Sequence, residues 1–188
     1  MTTGRRFRSS DLEFFADDTK RYEIIDGELY VSTAPHGWHQ FVAGLLWSWL
    51  HAWDEETGAG TAFPAAGVVF GDEDEVIPDV IWVSAQRLPL IFGDDGHLHA
   101  APELVIEVLS PGSKNEQRDR EIKLGLYSRR GVREYWMVDW RLRQIEVYRR
   151  EQAALRLVGT LYEADTLETP LLPGFSRSVR SLFRGIPG

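Results

Sequence analysis

The sequence contains no cysteine, so disulfide staples and thiolate metal sites are excluded. It has no apolar run near the roughly 20 residues that span a bilayer. The opening MTTGRRFRSS carries charge with no apolar stretch behind it, which is not the pattern of a secretory signal. No Gly-rich phosphate loop of the Walker or Rossmann type is present, and no HExxH. Repeats, low-complexity tracts and linkers are also missing. These absences favour a cytoplasmic protein with no membrane partner. The 188 residues fit one domain, spanning 1–188 with a core of about 10–185. Apolar residues make up 43% and charged residues 27%, and seven Trp with nine Phe supply ample core material.

The net charge is −8, which argues against holding nucleic acid by bulk charge. The charge is unevenly spread, however. Residues 114–150 hold eleven Lys/Arg against six Asp/Glu, a local +5, which leaves −13 for the rest. Acidic groups that bind a divalent ion would lose their repulsion towards a phosphate.

Two alternating runs flank Asp26-Gly27 in YEIIDGELYVS, a strong hairpin signal. From 35 to 58, Trp38, Phe41, Val42, Leu45, Leu46, Trp49, Leu50 and Trp53 recur at helical spacing, and Gly58 offers a stop. Trp47 falls off this stripe, so it is the one Trp considered for base stacking or a dimer contact. AGVVF (66–70) and VIPDVIWVS (76–84) read as strands around the acidic turn GDEDEV, and 85–101 reads as an irregular loop. LVIEVL (104–109) has the continuous apolar pattern of a central strand. Ser113 and Glu116 form a capping-box pattern for a helix that Gly131 closes. Strands follow at 133–140, 144–150 and 154–160, then a loop and a short final helix. The strand–helix–strand unit over 104–140 implies a parallel pair, so the fold class is α/β or α+β around one mixed sheet.

Two acids lie on apolar strands. Asp79 follows Pro78 at a strand mouth, where an Asp is ordinarily a turn residue. Glu107 sits inside LVIEVL, where a lone carboxylate is costly unless paired or metal-bound. Lys123 lies sixteen residues further on, sharing a helix face with Glu116, Asp119 and Tyr127. That face is either solvated, with an Asp119–Lys123 ion pair, or it brings Lys123 back over the end of the Glu107 strand; spacing leaves both readings open. Two carboxylates can hold one hard cation such as Mg²⁺ or Mn²⁺, which lowers the pKa of a bound water and screens a phosphate. A nearby Lys can stabilise the transition-state charge. His36 and His39 read as a polar helix start, and His97-Leu-His99 as loop residues rather than a zinc site. Arg118, Arg120, Arg129, Arg130 and Arg133 form either a phosphate-facing rim or solvated faces.

Taken together, YEIIDGELYV, PHGWHQFVAGLLWSWL, IPDVIWV, PELVIEVLSPGSKNEQRDREIKLGLYSRRGVREYWMVDWRLRQIEVYR and LPGFSRSVRSLF resemble the Uma2 family of the PD-(D/E)XK, restriction-endonuclease-like superfamily. The resemblance implies a restriction-endonuclease-like core: a central mixed β-sheet flanked by helices, with an N-terminal β-hairpin. It assigns Asp79 and Glu107 as metal-binding acids. Leu109 stands where the superfamily pattern has its Lys, and the resemblance supplies Lys123 from the next helix instead. It adds Glu23 as a further acid. The implied activity is Mg²⁺- or Mn²⁺-dependent endonucleolytic hydrolysis of DNA by a homodimer. The alternatives are a catalytically silent nucleic-acid- or protein-binding module on the same fold, or a nuclease for RNA.

Overall fold

The computed structural model describes residues 6–15, 20–112 and 116–187. A 3-10 turn, Ser9–Phe14, leads into a hairpin of β1 (Arg21–Ile25) and β2 (Glu28–Ser32). Asp26 and Gly27 both take positive φ, 51° and 73°, the mirror-image turn that matches strand twist and that Asp-Gly readily adopts. Helix α1 (Gly37–Thr57) follows, then β3 (Gly60–Pro64), β4 (Val68–Gly71), β5 (Asp74–Val76) and β6 (Val80–Ser84). A short α2 (Leu88–Ile91) precedes β7 (Leu104–Val108). A π-wound segment, Arg118–Lys123, runs directly into α3 (Leu124–Arg130), which Gly131 ends at φ 95°. The chain closes with β8 (Glu134–Asp139), β9 (Gln144–Glu151), β10 (Ala154–Leu161), β11 (Thr166–Glu168), β12 (Ser176–Ser178) and α4 (Val179–Leu182).

The main sheet has six strands in the order β10-β9-β8-β7-β6-β3. β7 and β8 are parallel and every other neighbouring pair is antiparallel, so the sheet is mixed. The parallel pair is the one expected over 104–140, since a parallel return needs a crossover helix. A second sheet, β2-β1-β5-β4, lies beside it. β7 and β8 are buried along their whole length because both faces of the sheet are covered. On one face α1 and the C-terminal segment pack Leu46, Leu50, Trp53, Phe175 and Leu182 against Ile106 and Trp136. On the other face α3 and the small sheet pack Leu126, Tyr127, Ile25 and Val76 against Val105 and Tyr135.

Several expectations need correction. β3 was not legible as a strand, nor was β11. The loop 85–101 contains α2, with Pro89 tolerated in its first turn. Trp47, off the apolar stripe, is nevertheless partly buried: its Nε1 donates to Ala62 O at 3.0 Å and its ring packs on the core, because β3 passes beneath α1. The Ser113 half of the capping box lies outside the described residues. Among the described residues no helix is long and apolar enough to cross a membrane.

Leu50 is fully buried at the centre of the α1 interface, whereas Leu142 is 63% exposed. Leu50→Ala is expected to cost about 2–5 kcal/mol in urea unfolding. Leu142→Ala should change stability by less than about 0.5 kcal/mol.

Candidate active site

The register of the central strands creates the site. Val80 pairs with Ile106 across the antiparallel β6–β7 ladder, so one step further Asp79 lies opposite Glu107. Directly opposed residues share a face, with Cβ atoms about 5 Å apart. Asp79 is anchored from three sides. Val108 N–H donates to its Oδ2 at 2.9 Å, His39 Nε2 lies 3.1 Å from Oδ2, and Arg21 donates to Oδ1 at 3.2 Å.

Glu107 shares its strand face with Val105 and Leu109, the face covered by α3. Lys123 Nζ and Tyr127 Oη both donate to its Oε1, at 2.8 and 2.7 Å. They reach the same oxygen because residues four apart on a helix share a face. Lys123 Nζ also lies 2.8 Å from Glu23 Oε1. Glu23 comes from β1, two residues from Arg21, so strand alternation turns both towards the same site. Ile77 N–H donates to Glu23 Oε1 at 2.9 Å, and the Arg118 guanidinium stands 3.8 Å from Oε2. Arg118 Nε also donates to Asp119 Oδ1 at 3.1 Å. The π winding of Arg118–Lys123 buries both Asp119 and Lys123, and such insertions recur at functional sites.

Most of these groups, though not Glu23 or Tyr127, line one cleft of about 770 Å³. Its floor carries Asp79, Glu107, Asp119, Lys123, Arg21 and Arg118, and Val31, Pro35, His36 and Pro111 are among its walls. Glu23, Asp79, Glu107 and Asp119 are all at least 94% buried, as are His39 and Lys123.

Burial and neighbouring charge move the titrations in different directions. Burial pushes Glu107 up, and despite Lys123 the nearby carboxylates of Asp79, Asp119 and Glu23 help to bring it to about 7. Burial works against Asp79 too, but the hydrogen bond and charge of His39, with Arg21 and Val108 N–H, hold it down at about 2. Glu23 is lowered in the same way: burial is outweighed by Lys123 and Arg118. Asp119 is raised, because burial exceeds what Lys123 and Arg118 return. Lys123 keeps its proton firmly, since Glu107, Glu23 and Asp119 overcome the burial that opposes its charge. His39 is raised against its burial by the hydrogen bond and charge of Asp79. Burial and Glu107 together push the Tyr127 hydroxyl well above its ordinary value, so it stays a donor.

Of the four residues singled out in the sequence, Asp79, Glu107 and Lys123 line one cleft, and Glu23 joins them through its ion pair with Lys123. Arg21 and His39 were missed. His39 is not a polar helix start: it is 3% exposed and bound to Asp79, and its place in the first turn of α1 was the only hint. Of the helix-face candidates, Glu116 turns away to Arg141. Most of the proposed arginine rim is committed to acids: Arg120 to Glu146, Arg129 to Asp26 and Arg130 to Asp74. Only Arg118 reaches the cleft. His97 and His99 both lean on Asp95, at 3.4 and 3.0 Å.

Among the described residues no three His, Asp or Glu side chains form a ready-made metal cage. The chemistry of Asp79 and Glu107 nevertheless fits a hard divalent cation: two opposed carboxylates, in a site where burial and the neighbouring acids raise Glu107 to about 7, are what such an ion would relieve.

A family profile matches residues 9–180: Uma2, described as "Putative restriction endonuclease". Among solved structures, a protein from Anabaena variabilis ATCC 29413, described as "a putative nuclease belonging to DUF820", has a TM-score of 0.74 at 19% identity, covering 93% of this chain and 96% of that one. At this identity the likeness establishes the fold, a mixed sheet flanked by helices. No curated protein matches. With the profile spanning nearly the whole chain, cleft included, the protein belongs to the Uma2 family.

Proposed function

We propose that the protein is a metal-dependent nuclease that hydrolyses phosphodiester bonds of DNA in this cleft. The observation that carries the reading is the meeting of Glu107 and Glu23 on Lys123, with Asp79 opposite Glu107 and Arg21 and Arg118 beside them. Membership of a family described as restriction endonucleases supports the same class of reaction.

Asp79 and Glu107 would hold the ion. A bound Mg²⁺ or Mn²⁺ supplies Lewis-acid polarisation of the phosphate and a water of lowered pKa. The remaining work belongs to the chain. Lys123, permanently charged and held by two acids, offers its ammonium to the charge that builds on the phosphate or to the attacking water. Tyr127 and Lys123 fix the Glu107 carboxylate by one oxygen. His39, Arg21 and the Val108 N–H fix Asp79. Arg118 and Arg21 bring positive charge to a floor that would otherwise repel a phosphate. The proposal includes a cytoplasmic homodimer, in which two clefts could address two strands.

Cleavage is tested with supercoiled plasmid, linear duplex, single-stranded DNA and RNA, in Mg²⁺, Mn²⁺ or EDTA. Metal-dependent cutting of DNA is expected, and Glu107→Gln should lose about 100-fold or more. Cutting of RNA alone would move the substrate class. A folded protein that cuts nothing would point to the silent binding module, a reading to which the complete pairing of Lys123 with acids lends some support.

Stability against pH gives an independent check. The folded pKa values of Glu107 and Asp119 are raised, so ionising them costs the folded state, and their contribution falls as pH rises from the unfolded value through the folded one. His39 is raised as well, so its contribution is present below its unfolded value and fades above it. All three have the same sign. Without divalent ions the melting temperature should drop by roughly 5 °C or more between pH 5 and pH 8. Glu107→Gln should flatten this slope. Mg²⁺ or Mn²⁺ should stabilise the wild type more at pH 8 than at pH 5, since it competes with protons for the carboxylates. A melting temperature that climbs over this range would overturn the electrostatic account of the site.

A further inference from the structure

The lip of the cleft carries a feature the chemistry above does not use. His36 is the N-cap of α1, and its Nδ1 accepts the Trp38 N–H at 3.1 Å. Its ring also stacks on Trp140, with centroids 5.0 Å apart and planes 16° from parallel. Trp140 immediately follows Asp139 at the end of β8 and is half-buried, packed on the core. One face of its ring rests on the indole, and the exposed His36 lines the cleft that also contains Asp79, Glu107 and Lys123.

The rest of the lining sharpens the meaning of this ring. No Phe, Tyr or Trp is among the residues that line the cleft, and the other imidazole, His39, is buried against Asp79. Among the described residues no Asn or Gln lines it, so none of them offers the side-chain amide that reads an adenine edge in pairs. The arginines that line it, Arg21 and Arg118, are already bound to Asp79, Asp119 and Glu23. The floor is charged while the wall contains Val31, Ala34, Pro35 and Pro111. A nucleotide strand that places its phosphate on the floor must lay its bases along the wall, where the exposed imidazole is the flat π surface.

We propose that His36, backed by Trp140, is a base-stacking subsite that takes one nucleobase next to the scissile phosphate, without regard to its identity. This rests on the nuclease reading of the cleft and extends it. A base lying on His36 has left its own stack, so the strand that fits is single-stranded or locally unpaired. Stacking on an aromatic face tolerates every base, since each has a π-face, and gives preferences by stacking strength rather than by hydrogen-bond readout.

The test separates the ring of His36 from its capping nitrogen. In a Glu107→Gln background with Mg²⁺, binding of a fluorescein-labelled single-stranded oligodeoxynucleotide is followed by anisotropy. His36→Asn keeps an oxygen to cap α1 but removes the ring; His36→Phe keeps a ring but removes the cap. His36→Asn should weaken binding by about tenfold, while His36→Phe stays within about threefold of the parent. A set of oligonucleotides with one abasic position moved along the strand should contain one member that the parent and His36→Asn bind equally. If His36→Asn binds as the parent does, the subsite is wrong and the nuclease reading is untouched. The subsite also fails if His36→Phe loses as much as His36→Asn, because the cap and not the ring then matters. If no form binds the oligonucleotide, the nucleic-acid reading of the cleft falls together with the subsite.

Discussion

A buried ammonium ion joins three parts of this molecule that share little else. Lys123 is 1% exposed and rests between Glu23 of β1 and Glu107 of β7, each 2.8 Å away. The small sheet, the main sheet and the crossover helix are thus tied at one atom. Removing charges from water costs several kcal/mol per ion even after relaxation, and an apolar replacement of similar volume is often as stable. Losing Lys123 alone, by contrast, would leave two buried carboxylates unpaired, at a cost of about 3–5 kcal/mol. The cluster is also larger than one pair: four acids and Arg21, Arg118 and Lys123 share the same low-dielectric volume, with His39 completing the balance when protonated. Glu107, at about 7, is the member that the balance leaves least willing to ionise.

The position of the cluster follows from the topology. β7 is parallel to β8, so the chain leaving β7 must cross the sheet to start again at the other end. The crossing begins at the edge where Asp79 and Glu107 face each other, which brings the crossover helix over the two acids. The π winding at Arg118–Lys123 then sets which side chains turn inward: Asp119 and Lys123 are buried, whereas Arg120 turns to Glu146. A fold of this kind puts a helix near the acids in every such sheet, but only side chains decide what is done there. The solved relative makes the same point, sharing the fold at 19% identity.

What the sequence made legible was what its local pattern controls. The hairpin rested on Asp26-Gly27, α1 on its apolar stripe and β7 on a run without polar interruption except Glu107. That interruption was itself the clearest pointer to the site, since a charge inside a buried strand demands a partner. β3 was hidden because Gly60 and Pro64 bound a run too short to alternate, and α2 because Pro89 reads as a breaker. His39 and Arg21 were hidden for another reason. A histidine in a helix's first turn and an arginine in a hairpin strand are ordinarily solvated, and their link to Asp79 spans 40 and 58 positions of chain, a distance over which periodicity carries no information. Trp47 misled because a helical wheel shows one helix and not the strand that runs beneath it.

The basic stretch 114–150 shows how far composition can mislead about partners. Its local +5 suggests a surface that gathers phosphates, yet its charges are largely answered in place: Arg120 by Glu146, Arg129 by Asp26, Arg130 by Asp74, Arg141 by Glu116 and Asp139. The exposed Arg129–Asp26 pair adds little to stability, about 1 kcal/mol or less, but all of these pairs cancel field. Arginines neutralised at home do little to gather nucleic acid. On the proposed function, attraction for a phosphate falls to the cleft floor, where Arg21, Arg118 and Lys123 sit in low dielectric and each charge counts for more. The same burial that raises the cost of assembling these residues concentrates their effect on one phosphate at a time.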